Sequence, residues 1–132
     1  MSHCDPIADM ITRIRNAVRV QHPQVNVKAT RVCEGVAKVL VREGYIEGYD
    51  RIETGNQDNL KIRLKYGPLG QKVIRKIDRC SKLSCRVHCS VDKLPTVMGG
   101  LGIAVVSTNR GVLSDQQCRK ENLGGELLCI VR

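Results

Sequence analysis

Seven consecutive residues, Leu60-Lys61-Ile62-Arg63-Leu64-Lys65-Tyr66, alternate apolar and polar without a break. Successive side chains of a strand point to opposite faces, so this run demands a sheet. One face is buried under Leu60, Ile62, Leu64 and Tyr66; the other carries Lys61, Arg63 and Lys65 into water. Such a sheet needs a cover on its apolar side.

The preceding segments supply that cover. Asp5 is placed to cap a helix, and Pro6 suits its first position, where a missing N–H costs nothing. Ile7, Met10, Ile11, Ile14 and Val18 then recur at helical spacing. Arg15, Asn16 and Arg19, flanked by Arg13, fall off that stripe; they read either as a solvated basic face or as a surface facing phosphate. His22-Pro23 ends the helix, and Val25-Asn26-Val27 suits a short strand. Thr30 can cap a second helix whose buried side is Val32, Cys33, Val36, Ala37, Val39 and Leu40, stopped near Gly44. Tyr45 to Glu53 reads as extended, and residues 54–59 as a turn. The expected order over residues 1–66 is α-β-α-β-β.

Gly67-Pro68-Leu69-Gly70 marks a boundary, so residues 67–132 are expected to form a second module. Val73, Ile74 and Ile77 fit either period, within the most basic stretch of the chain (Lys72, Arg75, Lys76, Arg79, Lys82). Residues 85–91 alternate as a strand, with Arg86, His88 and Ser90 on its polar side. Residues 95–100 read as a loop and 101–107 as an apolar strand. Ser114 and Gln117 form a capping box for a helix over 115–121, stopped at 122–125. Residues 126–131 close as a strand. The fold class expected is α+β, with a second module mostly of antiparallel β and one short helix.

The net charge is +9. Residues 1–66 carry 11 basic and 8 acidic side chains, and residues 67–132 carry 11 and 5. A surplus of this size attracts a polyanion, with nucleic acid ahead of an anionic membrane. No apolar run of ~18 residues exists to span a membrane, and no signal segment is seen at the N-terminus. The expected location is cytoplasmic.

Cys4, Cys33, Cys80, Cys85, Cys89, Cys118 and Cys129 are odd in number and unaccompanied by an export signal, which argues against a disulfide framework. Cys80, Cys85, His88 and Cys89 invite a zinc reading. If residues 85–91 form a strand, however, Cys85 and Cys89 lie roughly 13 Å apart, whereas thiolates of one zinc sit ~2.3 Å from the metal. These cysteines are expected to be small core residues, with no metal and no cofactor. Gly99-Gly100-Leu101-Gly102 precedes a strand, the wrong context for a dinucleotide loop. Ser107, His88 and Glu126 lack the frame of a hydrolase. Neither an enzyme nor a small-molecule substrate is expected.

Ser107-Thr108-Asn109-Arg110-Gly111 closes the apolar strand with short hydrogen-bonding side chains, suited to 2′-hydroxyls and base edges in the wide minor groove of RNA. An ordinary capped turn has a similar composition. Gly124-Gly125-Glu126 offers a second place for close backbone approach. With three Tyr and no Phe or Trp, the stacked platform of a single-strand RNA reader is missing. Folded RNA is the better target.

At these residues the sequence resembles the bacterial form of the small-subunit ribosomal protein eight family. The resemblance runs through Asp5-Pro6-Ile7-Ala8-Asp9-Met10, Arg13-Ile14-Arg15-Asn16-Ala17, Arg42-Glu43-Gly44-Tyr45-Ile46 and Leu64-Lys65-Tyr66-Gly67-Pro68. It is most specific from Gly100-Leu101-Gly102-Ile103-Ala104 through Ser107-Thr108 and Gly111-Val112-Leu113 to Gly124-Gly125-Glu126. It implies two modules and a structural constituent of the small subunit that binds the central domain of small-subunit rRNA. It also implies contacts with neighbouring small-subunit ribosomal proteins and, as an alternative role, repression of its own operon mRNA.

The resemblance places the main RNA contact at Ser107, Thr108, Asn109, Gly111, Gly124, Gly125, Glu126 and His88. Arg86 and Lys82 are expected to neutralise phosphate beside them, and the resemblance implies that the first module touches a second rRNA segment, for which Arg13, Arg15 and Arg31 are the expected contacts. Three departures stand out: Asn109 replaces the usual Ser, His88 the usual Tyr, and Lys82-Leu83-Ser84 the usual Pro-Gly turn. The rivals are a free mRNA regulator using the same surface, and a zinc or cysteine enzyme built on Cys80, Cys85, His88 and Cys89.

Overall fold

Pro6 opens the first helix, α1 (Pro6–Arg19), which buries Ile7, Met10, Ile11, Ile14, Ala17 and Val18 along one side. The computed structural model describes residues 6–82 and 84–132, so the cap expected at Asp5 lies outside the described residues. Thr30 caps α2 (Arg31–Arg42) by accepting the Cys33 N–H at 3.1 Å. Beyond its end, Gly44 has φ +82°, and the Tyr45 N–H closes back on the Leu40 carbonyl.

Three antiparallel strands, β1 (Gln24–Lys28), β2 (Ile46–Thr54) and β3 (Gln57–Leu64), lie in the order β1-β3-β2. The alternation read in the sequence is met on β3: Leu60, Ile62 and Leu64 are buried. Helix α1 packs against β1, α2 against β2, and the two helices against each other.

Two expected boundaries shift. Thr54 pairs with Gln57, so the turn expected over 54–59 shrinks to Gly55 and Asn56. Gly55 (φ +59°) supplies the left-handed first position that a two-residue hairpin needs, and the strands zip up to it. Tyr66, expected on β3, falls beyond its end; its hydroxyl donates to the His22 carbonyl at 2.6 Å.

The chain is α+β and divides into two compact units between Arg75 and Lys76. The second unit is one antiparallel sheet and one short helix. Its strands are β4 (Ile77–Arg79), β5 (His88–Cys89), β6 (Ile103–Thr108), β7 (Gly111–Ser114) and β8 (Gly125–Val131). The order is β4-β8-β6-β7, and β5 shares with β4 one edge of β8. Between β7 and β8 lies α3 (Asp115–Glu121), capped by Ser114, which accepts the Gln117 N–H at 3.3 Å. Asn122 (φ +57°) ends it in the left-handed region.

The strand expected over 85–91 is corrected to two residues. β8 has only one free edge beside β6, and β4 already takes Cys129–Val131 of it, leaving Gly125–Glu126 for β5. Residues 91–93 then form a 3-10 turn. The strand expected from Leu101 starts at Ile103, and Leu101 is exposed.

The core of this unit is Leu94, Val97, Ala104, Val106, Cys118 and Leu127, with Cys80 and Cys89 packed against it. Cys33 and Cys129 are buried as well. Cys85 is the exception to the expected core role: it is exposed, because it and the other described residues between Cys80 and Val87 belong to no strand. None of the described helices is long and apolar enough to cross a membrane.

Candidate nucleic-acid interface

Strand β6 is buried from Ile103 to Val106 and emerges at Ser107 and Thr108. There the register sets one row across four strands: Val112 opposite Ser107, Ser107 opposite Glu126, and Glu126 opposite His88. Directly opposed residues stand on the same face, with Cβ atoms roughly 5 Å apart. The sheet thus aligns three expected site residues that are scattered in sequence.

The β6–β7 hairpin is closed by Thr108, whose hydroxyl donates to the Gly111 carbonyl at 2.8 Å and accepts the Arg110 N–H at 3.1 Å. Gly111 takes φ +106°, a backbone state that any side chain would strain. Asn109 and Arg110 stand exposed at the tip. The Thr108 hydroxyl thus uses its one proton and one of its two lone pairs within the turn. Ser107 is half-buried, and its hydroxyl has no partner among the described residues.

A β-bulge sits next to the row. Val105 pairs with Cys129 and Val106 with Leu127, so Leu128 is the extra residue. Its carbonyl accepts from the Cys80 N–H at 3.0 Å and from Arg79 Nη1 at 2.8 Å. Arg79, one of the five cations of the basic stretch, is thus tied to the protein's own backbone.

Glu126 carries the densest bonding of the row. Its Oε2 accepts from the Ser81 hydroxyl and from Arg86 Nη1, the latter at 3.0 Å. Burial pushes its carboxyl up, but the bonds from Ser81 and Arg86, with the charges of Arg86 and Arg79, outweigh it and hold the group below its ordinary value. A fixed carboxylate results, framed by cations. His88 is exposed on the next strand, and Lys82 is exposed on the adjoining loop.

Gly124 and Gly125 have a use inside the protein. A side chain on Gly124 would meet the backbone of Cys89 and Ser90, and one on Gly125 the backbone of Ser107 and Thr108. The paired glycines let β5 and β6 close on the start of β8.

Arg13, Arg15 and Arg31 belong to the first unit and are exposed there. Arg13 pairs with Asp9 at 2.9 Å. Arg31 is the first residue of α2.

The sequence reading missed Ser81, which bonds Glu126 from a fully buried position. It also missed Asp115, 1% exposed. That carboxylate accepts the Ala104 N–H at 3.2 Å and Arg119 Nη1 at 2.8 Å. Arg119 continues to the carbonyls of Leu94 and Pro95. Only the i,i+4 spacing of Asp115 and Arg119 carried any signal. Among the described residues no group of three or more His, Cys, Asp or Glu side chains is arranged to hold a metal.

A family model described as Ribosomal protein S8 matches residues 5–132. The chain is similar to the small ribosomal subunit protein uS8 of Clostridioides difficile, with 49% identity over 131 residues and 99% of each chain covered. The protein of the same name from Halothermothrix orenii is 50% identical, again over 99% of both chains. That from Finegoldia magna is 49% identical over 127 residues, 96% of this chain and 97% of the relative. The chain therefore belongs to the ribosomal protein S8 family, structural constituents of the small ribosomal subunit and not enzymes.

Proposed function

We propose that this chain binds the central domain of small-subunit rRNA directly and helps to organise it during assembly, in the cytoplasm and beside neighbouring small-subunit proteins. The observation that carries the reading is the row Ser107–Glu126–His88. It sets a hydroxyl without a partner among the described residues, a fixed carboxylate and an exposed imidazole side by side, with Asn109 and Arg110 at one end and Lys82 and Arg86 at the other. Hydroxyl and carboxylate oxygens at strand spacing suit ribose 2′-hydroxyls and base edges of the shallow minor groove, where shape governs recognition. The cations flanking them suit the phosphates on either side. Gly124 and Gly125 shape this surface by keeping its strands close, and Gly111 by its left-handed turn between β6 and β7. Arg13, Arg15 and Arg31 present cations on the first unit for a second rRNA segment.

The test is binding of the purified chain to a transcribed central-domain fragment across a salt series. Tight binding whose logarithm falls linearly with log salt supports the reading. Absence of salt-sensitive affinity, together with failure to sediment with small-subunit particles in cell extract, removes it. A chain that sediments mainly in the soluble fraction and binds its own operon mRNA more tightly than rRNA would instead be a free repressor using the same surface.

A further inference from the structure

The chain leaves the sheet at Cys80 and returns to it almost where it left. The Cys80 N–H donates to the Leu128 carbonyl at 3.0 Å, and the Leu127 N–H donates to the Val87 carbonyl at 2.8 Å. Both ends of the excursion are thus pinned at adjacent residues of β8. Within it, Lys82 and Cys85 exchange two backbone hydrogen bonds, at 2.9 and 3.1 Å.

The described side chains of this loop divide sharply. Lys82, Ser84, Cys85 and Arg86 are exposed, while Ser81 is 0% exposed. The Ser81 hydroxyl works in both directions, donating to Glu126 and accepting the Val87 N–H at 3.2 Å. A hydroxyl can do both at once; a methyl can do neither. Glu126 in turn receives Arg86, so one buried oxygen joins the loop's root, the central strand and the loop's outer cation.

We propose that Ser81 is a positioning residue for RNA binding: through Glu126 and the Val87 amide it holds the 81–87 loop in shape before RNA arrives, with Lys82 and Arg86 already set at phosphate-contacting positions. The inference rests on the rRNA-binding reading above. Its physical basis is preorganisation: a loop and two long side chains ordered only on binding would subtract their ordering cost from affinity. Ser81 itself, wholly buried, touches no RNA.

The test uses the full chain and a transcribed central-domain rRNA fragment, with affinity measured across a salt series. Ser81→Ala weakens binding about tenfold, the scale of one or two net hydrogen bonds. The log–log salt slope stays at its wild-type value, because the phosphate contacts still form in the complex, whereas Arg86→Ala, which removes one, lowers it by about one. In the free Ser81→Ala chain the amides of Lys82, Cys85 and Val87 exchange faster while the strands stay protected. Ser81→Thr, which keeps the hydroxyl, restores affinity and protection. A folded Ser81→Ala with wild-type affinity overturns the proposal. Weaker binding with these amides as protected as in wild type overturns it too, since that marks damage elsewhere.

Should Ser81→Ala not fold, amide exchange in the free wild-type chain decides. Slow exchange at Lys82, Cys85 and Val87 supports a preformed loop, and exchange at unprotected rates overturns it. A wild-type chain without salt-sensitive rRNA binding overturns the parent reading, and this inference with it.

Discussion

Gly125 and Ser107 are in a backbone contact that only glycine permits: a Cβ on Gly125 would lie 2.1 Å from the Ser107 carbonyl oxygen. The atom it would strike is main chain in a paired strand, so relief requires β6 and β8 to part at the centre of the row. Gly125→Ala is expected to destabilise the protein by about 2 kcal/mol, as overpacking does, and to weaken rRNA binding with it. Urea unfolding checks the first effect; unchanged stability would show that the strands have room to shift.

Ser107→Ala separates stability from binding. The Ser107 hydroxyl has no partner among the described residues, so its removal should leave the unfolding midpoint unchanged. Affinity for central-domain rRNA should fall by about 1 kcal/mol, the net worth of one hydrogen bond. Equal affinity would take Ser107 out of the interface.

The pH dependence of stability should carry the mark of Glu126. Its carboxyl is held below its ordinary value of 4.5. Such a group stabilises the fold above its unfolded pKa, and that contribution is lost as pH falls through the folded one. Wild type should therefore exceed Glu126→Gln most at neutral pH, with the gap narrowing in acid below the ordinary carboxylate range. Parallel urea titrations at stepped pH measure it, and a gap constant throughout would deny the linkage.

Asp115 and Arg119 should behave as a coupled pair. Asp115→Ala leaves a guanidinium and the Ala104 N–H without their carboxylate and should cost about 3 kcal/mol, as breaking a buried ion pair does. The double variant should cost less than the sum of the two single ones. Additive losses in a double-mutant cycle would mean that the two residues act separately.

The thiols should react in order of access. Cys85, exposed on the 81–87 loop, is expected to be labelled rapidly in the native protein. Cys129 is buried, and burial pushes its thiol up to about 12; it should react only on unfolding, because the thiolate is the nucleophile. Mass spectrometry of briefly labelled native protein distinguishes them.

What the sequence made legible was whatever depends on neighbours in the chain. Helix α1 followed from its apolar stripe, and α3 with both its ends from Ser114, Gln117 and Asn122. β3 followed from strict alternation. What stayed hidden depends on partners far away. Nothing local in 85–91 says that β4 takes the other part of the β8 edge, so alternation alone overstates the length of β5. The bulge at Leu128 exists only relative to β6. The glycines at 124 and 125 looked available for a ligand; the long-range pairing reveals the backbone they accommodate. Ser81 had no signal, since a serine before a lysine is unremarkable until Glu126 is brought beside it. Most of the candidate site came from the family resemblance, and the register then showed which of its members are neighbours.

The place of β8 in the sheet has a consequence for synthesis. β4, β5 and β6 all pair with it, yet it is made after every one of them. Until the start of β8 has been translated and has emerged, the β6–β7 hairpin can form alone, but His88, Glu126 and Ser107 cannot be aligned. A nascent chain halted earlier would carry the positive charge without the row proposed here to direct it. On that proposal, strand order delays competence for RNA recognition until translation has passed β8.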